Sequence, residues 1–490
     1  MIDTTTHSRL VKKSLRYSVL DVSAYSAMLG LTQDCITPFA LALKATTAQV
    51  GLLTSIPNLA MALSQLTVPR LAERARSRKK FILPIALAHA LMWLPVLLIP
   101  WLFPGEKVWW LIGFLTVITA LGSLGNPVWG SMMADLVPEE MRGKFFGFRG
   151  RVGGLLTLIF FFVGGAILEV SNKGVFVGFA IIFGLALVFR LISWFFLSRM
   201  YDPPSSATRH SAFKLVATLK KMPSTNVGKF IIYVALMKFA TYLAGPFFAV
   251  FMLRDLKFSY LTYVGITATA DLVNILFLSF WGKRADKAGN IKVLRITALL
   301  VPLVPLFWII GRDFYYLIPI QVLSGFAWSG FNLVSVNFLY DAASPEKRTQ
   351  YIALSNAVNG IAICLGALTG GLLATHLPNL FGYQLLSLFL ISGIARSLVG
   401  IRLYSRVFEM RRVRETTTAE LLLGGLHLPR VPRPTRQPLR VNNPYLSPEL
   451  KLEKMTVPVY HHTPSWWRTL HSASRPPPFD NSKMCYNYYM

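Results

Sequence analysis

Phe81 to Leu102 reads FILPIALAHALMWLPVLLIPWL, without one charged side chain. A helix rises about 1.5 Å per residue, so roughly 20 apolar residues cross a hydrocarbon core about 30 Å thick. Lipid offers no partner to an unpaired peptide group, so a run of this kind is a helix. Similar runs recur along the chain. Of 490 residues, 53% are hydrophobic and 15% charged, and the mean hydropathy is +0.49. That leaves too little polar surface for a water-soluble chain of this length. The sequence is that of an all-α integral membrane protein with many crossings.

Working outward from that run, twelve spans are expected near 15–43, 47–69, 81–103, 108–136, 146–169, 174–199, 229–253, 259–282, 291–311, 314–341, 352–376 and 382–406. The basic opening ahead of the first span resembles a signal peptide, but the apolar run is long and is read as a retained helix. The formal charge of +28 is unevenly placed. Alternate connections carry the arginines and lysines: Lys12 and Lys13, Arg74 to Lys80, Arg142 to Arg151, Lys214 to Lys221, Lys283 to Lys292, then Lys347 and Arg348. The intervening connections hold little more than Lys44, Lys107, Lys173, Arg254, Lys257 and Arg312. Short basic connections stay in the cytoplasm, which puts both termini there. The basicity therefore records orientation, and a nucleic-acid partner is not expected.

The chain divides into four parts by composition: a six-helix bundle over 1–200, a linker over 201–228, a second six-helix bundle over 229–408 and a tail over 409–490. Phe213, Val216, Leu219 and Met222 recur at helical spacing beside lysines in the linker, which suits an interfacial helix. A plain linker is the alternative. The tail is rich in proline and arginine and too poor in apolar surface to order itself. The two bundles look like copies. At an offset of 206, Asp135 falls on Asp341, Arg142 on Arg348, Ser123 on Ser329, Asn126 on Asn332 and Arg190 on Arg396. Repeats of this kind place a solute site at the interface between the copies.

The connection after the eighth span reads Gly282-Lys-Arg-Ala-Asp286-Lys-Ala-Gly289-Asn-Ile-Lys292. It resembles the loop signature of the major facilitator superfamily. The matching connection after the second span keeps Leu71-Ala72, the acid Glu73 and the basic cluster from Arg74, but has Pro69 and Arg76 where that family has glycine. Asp135 with Arg142, and Asp341 with Arg348, are similar to the family's next cytoplasmic loops. The resemblance covers roughly residues 10–408 and implies a permease of prokaryotic type, with twelve transmembrane helices in two pseudo-symmetric six-helix bundles around a central cavity. It also implies that Glu73, Arg74, Asp135, Arg142, Gly282, Asp286, Gly289, Asp341 and Arg348 gate the cytoplasmic side. Glu73 would face the start of the eleventh span and Asp286 the start of the fifth, where helix dipoles favour an acid.

In this family the first helix of each three-helix unit lines the cavity, which here means spans one, four, seven and ten. Their polar residues fall on single faces: Ser26 with Gln33, Asn126 with Trp129, Lys238 with Tyr242, and Trp328 with Asn332. Contacts between helices are the other use for such faces. An acid inside a span needs a partner or a wet cavity. Asp271 and Asp34 are thus candidates for carrying a coupling proton, and Lys238 is either a partner of Asp271 or a snorkelling lysine. Arg190 and Arg396 are read as snorkelling toward the cytoplasm.

Three scattered cysteines (Cys35, Cys364, Cys485) show no metal or redox spacing, and there is no phosphate-binding loop motif. Neither a cofactor, a metal nor an enzymatic activity is expected. The expected function is secondary transport of a small solute through the cytoplasmic membrane by alternating access, in a monomer embedded in the lipid bilayer, with protons as a candidate co-substrate. Two other readings stay open: a transporter-like sensor that binds without moving its ligand, and a lipid translocator.

Overall fold

The computed structural model describes residues 4–74, 77–138, 141–171, 174–203, 222–342, 345–403, 407–410 and 413, with side chains left out at 4–8, 66–74, 345–350 and 403. The expected interfacial helix and nearly all of the tail lie outside these residues. So do the side chains of Glu73, Arg74 and Arg348.

The described chain is helical throughout, joined by short turns. Ten of its helical stretches are long and apolar enough to cross a membrane, from Arg78–Leu102 to Gln384–Arg402. The first helix, Thr4–Thr32, and the second, Thr47–Arg74, are long enough to cross but are not among those ten. Local chemistry sets several starts. Thr46 and Gln49 cap one another ahead of the second span, the Thr46 amide donating to Gln49 Oε1 at 2.9 Å and the Gln49 amide to Thr46 Oγ1 at 3.2 Å. The hydroxyls of Ser77, Thr225 and Ser259 accept from the amides of Lys80, Gly228 and Thr262 to start the third, seventh and eighth spans.

Spans 3 and 9 break briefly, at Met92 and at Val301-Pro302, and two others are interrupted at greater length. The first stops at Thr32 and resumes as Ile36–Ala42. The seventh runs Asn226–Tyr242, turns through Gly245-Pro246, and continues as Phe247–Val250 into a π-helical turn at Phe251–Asp255. Pro246 has no amide proton to return to Tyr242, so the interruption is built into the sequence.

Spans 1 to 6 pack largely among themselves, and so do spans 7 to 12; the two groups meet where span 2 runs along span 11 and span 5 along span 8. Small residues permit the approach. A side chain at Gly371 would meet the Gly51 Cα at 3.2 Å and the Ala48 carbonyl at 3.3 Å. Aromatic clusters hold each group at the end away from the basic connections: Trp93 stacks on Phe183 at 5.7 Å in one, and Phe248 on Phe389 at 4.3 Å in the other. Large apolar side chains such as Leu155, Leu276 and Ile401 point outward, a surface that suits lipid.

Candidate functional site

Interrupted spans 1 and 7 face one another, and between them lies a cavity of about 420 Å³. Spans 1 and 2 contribute Gln33, Asp34, Thr37 and Thr54; span 7 contributes Thr241, Tyr242 and Gly245. Tyr263 and Thr267 come from span 8, Trp308 from span 9, Gln321, Ser324 and Trp328 from span 10, and Arg396 from span 12. Interrupting a helix frees backbone groups, which the bilayer interior tolerates only beside protein or a wet chamber. The wall, with Phe248 also in it, thus combines hydroxyls and amides with five aromatic rings, one acid and one base, a mixture suited to a mid-sized amphipathic molecule.

The end of the cavity away from the basic connections is closed by contacts between the two groups. The Tyr263 hydroxyl donates to the Asp34 carbonyl at 3.1 Å, and Arg254 donates to Thr47 Oγ1 at 2.8 Å. The Leu261 amide donates to Glu169 Oε2 at 3.2 Å, and Ser55 Oγ to the Cys364 carbonyl at 2.9 Å. On the other side of the cavity, Asp271 stands about two turns beyond Tyr263 on the same helix and is exposed.

Of the residues the sequence pointed to, Gln33, Asp34, Tyr242 and Trp328 line this one chamber. Lys238 and Asn332 lie next to it: Lys238 Nζ is 3.5 Å from Asn332 Oδ1 and 5.1 Å from the centre of the Trp328 ring. Ser26 sits elsewhere. It is buried between spans 1 and 5, its carbonyl accepting from Thr157 at 3.4 Å. Asn126 is exposed on span 4, and Trp129 lies under the Arg149 guanidinium at 4.1 Å, so neither reaches the cavity wall.

Two expectations are corrected. Lys238 does not pair with Asp271, because span 7 packs on spans 11 and 12 while span 8 packs on spans 10 and 5. Arg190 and Arg396 do not snorkel. Arg190 donates to Ser193 Oγ at 2.7 Å and to His89 Nδ1 at 3.3 Å, and Ser193 in turn donates to Asp21 Oδ1 at 2.7 Å. Asp21 also faces Arg149 at 3.6 Å, both side chains buried. Arg396 is 2% exposed and lines the cavity. Sequence position placed these arginines toward the helix ends; only packing shows that their side chains turn inward.

At the basic end, Asp135 accepts from the buried Arg78 at 2.6 Å. Arg78 also reaches Asp202 at 3.7 Å and the Pro203 carbonyl at 2.8 Å, tying the connection after span 2 to the ends of spans 4 and 6. The second group repeats the device with different residues. Asn290 donates to Asp341 at 2.6 Å, and Glu409 accepts from the Ile291 amide at 2.9 Å. Gly289, at a φ of +89°, makes the turn beside Glu409 that a side chain would strain. Arg142 caps the carboxyl end of span 4, donating to the Ala134 carbonyl at 2.7 Å and the Val137 carbonyl at 3.2 Å. Gly282 is buried and Asp286 exposed.

An all-helical membrane protein with a polar chamber between two repeated groups of helices has the architecture of a solute transporter. The model of the Major Facilitator Superfamily matches residues 19–275 and 230–445, and the chain belongs to that superfamily. No curated protein matches the sequence. Solved structures share the fold at low identity. A variant of the nucleoside transporter NupG superimposes with a TM-score of 0.66 at 13% identity, over 80% of this chain and 99% of that one. The D-xylose-proton symporter gives 0.63 at 14%, over 82% and 99%. A bacterial homologue of the human lysosomal transporter Spinster, inward-facing and occupied, gives 0.59 at 15%, over 82% and 97%.

Proposed function

We propose that the chain is a secondary transporter that carries a small organic solute across the cytoplasmic membrane by alternating access, as a monomer. Its basic connections and both termini face the cytoplasm. The carrying observation is the chamber of about 420 Å³ between interrupted spans 1 and 7, built from both halves and closed at the outer end by contacts between halves. Parting those contacts and closing the inner end exposes the same wall to the other side. In this reading the closed outer end makes the conformation inward-facing.

Gln33, Asp34, Tyr242 and Trp328 hold the solute, with Lys238 and Asn332 at the inner rim. Asp34 and Asp271 carry the coupling proton. Asp34 stands in the chamber wall, so protonation and solute occupancy act on one place. Asp286 and Gly289 belong to the latch that closes the cytoplasmic side in the alternate state. The test is solute uptake into proteoliposomes at equal and unequal pH. Asp271→Asn and Asp34→Asn are expected to abolish acceleration by a proton gradient, and Asp271→Asn, outside the solute wall, to leave solute exchange at equal pH. Unchanged gradient-driven uptake in both variants would remove the proton role.

A further inference from the structure

Arg396 is 2% exposed in the wall of the chamber, and its donors reach only neutral oxygens. Nε lies 3.1 Å from Ser392 Oγ, one terminal nitrogen 3.4 Å from the Val301 carbonyl, and the other 3.3 Å from the Thr241 carbonyl. A guanidinium keeps its charge and has five N–H donors, so three long contacts leave it under-used. Among the described residues no carboxylate forms an ion pair with it. A buried charge without a counter-charge is strongly unfavourable and calls for a reason.

One bland reason is capping the carboxyl end of the interrupted helix Asn226–Tyr242, where the dipole favours a cation. That end is already served. Ser392 Oγ donates to the Ala240 carbonyl at 2.6 Å, and the amides of Ala244 and Gly245 donate to Thr241 at 3.2 and 2.9 Å. The repeat supplies a second comparison. Arg190, the counterpart of Arg396, is connected to Asp21 through Ser193. The first half thus holds a carboxylate one hydroxyl away from its arginine, shared with Arg149, and among the described residues the second half holds no carboxylate paired with Arg396.

We propose that the solute supplies the missing counter-charge: it is a small organic monocarboxylate whose carboxylate pairs with Arg396. The planar fork of the guanidinium matches a carboxylate with two parallel hydrogen bonds. The organic part of the solute lies against Tyr242, Trp308 and Trp328. Asp34 in the same wall disfavours a second negative charge, which sets a monocarboxylate above a phosphate ester. This inference takes the chamber as the solute site and so rests on the transport reading above.

The test uses the purified full chain in detergent and in proteoliposomes. The probes are indole-3-acetate, 3-phenylpropionate and N-acetylphenylalanine, each beside its neutral amide. At least one carboxylate is expected to raise the melting temperature of the wild-type protein while its amide does not. Its affinity is expected to fall about tenfold or more in Arg396→Gln, as loss of a charge-assisted pair implies. Arg396→Lys keeps the charge without the fork, guards against misfolding of the first variant, and is expected to weaken binding too. The proposal is overturned if amides bind as well as acids, if both variants keep wild-type affinity, or if no acid separates wild type from the variants. Carboxylate binding without flux would instead count against transport, while Arg396-independent flux of a neutral solute would count against the carboxylate and leave transport standing.

Discussion

Replacing Asp21 with asparagine removes a charge and little else. Asn keeps an oxygen that can accept from Ser193, now 2.7 Å from Asp21 Oδ1, so the hydrogen bond and the volume survive. What is lost is the attraction between Asp21 and Arg149 across 3.6 Å, between side chains each 8% exposed. At an effective dielectric constant of about 20, that attraction is roughly 4–5 kcal/mol. Arg149 retains the Ser18 carbonyl at 3.4 Å and the face of Trp129 at 4.1 Å, neither of which balances its charge. Breaking a buried pair from one side costs roughly 3–5 kcal/mol, and Asp21→Asn is expected to lose that much. Reversible unfolding in mixed micelles, followed by tryptophan fluorescence, measures it. Adding Arg149→Gln removes the stranded charge and should restore at least half of the loss, so the two substitutions will not be additive. A loss below about 0.5 kcal/mol for Asp21→Asn, the size of an ordinary surface change, would refute the reasoning. So would a double variant whose loss is the sum of the two.

Gly371→Val places a side chain against Gly51 and Ala48 where the two halves meet, and should shift the protein toward the state open at the outer end. Increased labelling of a cysteine introduced at Thr54 from the outside measures this, and unchanged labelling would contradict it. Glu409→Gln weakens the charge-assisted hydrogen bond to the Ile291 amide by about 1 kcal/mol, and hydrogen exchange over residues 289–292 should accelerate about fivefold. Equal exchange rates would show that the contact contributes nothing. Asp286→Asn is expected to raise the inward-open population, read by double electron–electron resonance, and an unmoved distribution would end the latch role.

The helices were readable because the solvent imposes them: a charge-free run such as Phe81 to Leu102 has no other solution in lipid. The repeat was readable from the shared offset of Asp135 and Asp341. Part of the chamber wall was also visible, since Gln33, Asp34, Tyr242 and Trp328 are polar or amphipathic residues on the faces that line it. The Gly245-Pro246 pair carried a signal for the interruption of span 7. The buried arginines were not readable. A side chain as long as arginine can leave the helix toward either end, and its position in a span does not say which. The Lys238–Asp271 pairing failed for a different reason: spans 7 and 8, though adjacent in sequence, pack on other spans. The acid–arginine cluster of Asp21, Arg149 and Arg190 joins spans 1, 5 and 6, and no spacing within one helix announces such a meeting.

The most direct test places spin labels in a background lacking the native cysteines. One pair sits at Lys144 and Lys283 at the basic end, the other at Val170 and Lys257 at the opposite end. Distances are measured by double electron–electron resonance with and without a transported solute. Alternating access predicts two populations at each end that change in opposite senses, one pair closing as the other opens. A single distance at both ends, unmoved by solute or by pH, would contradict it.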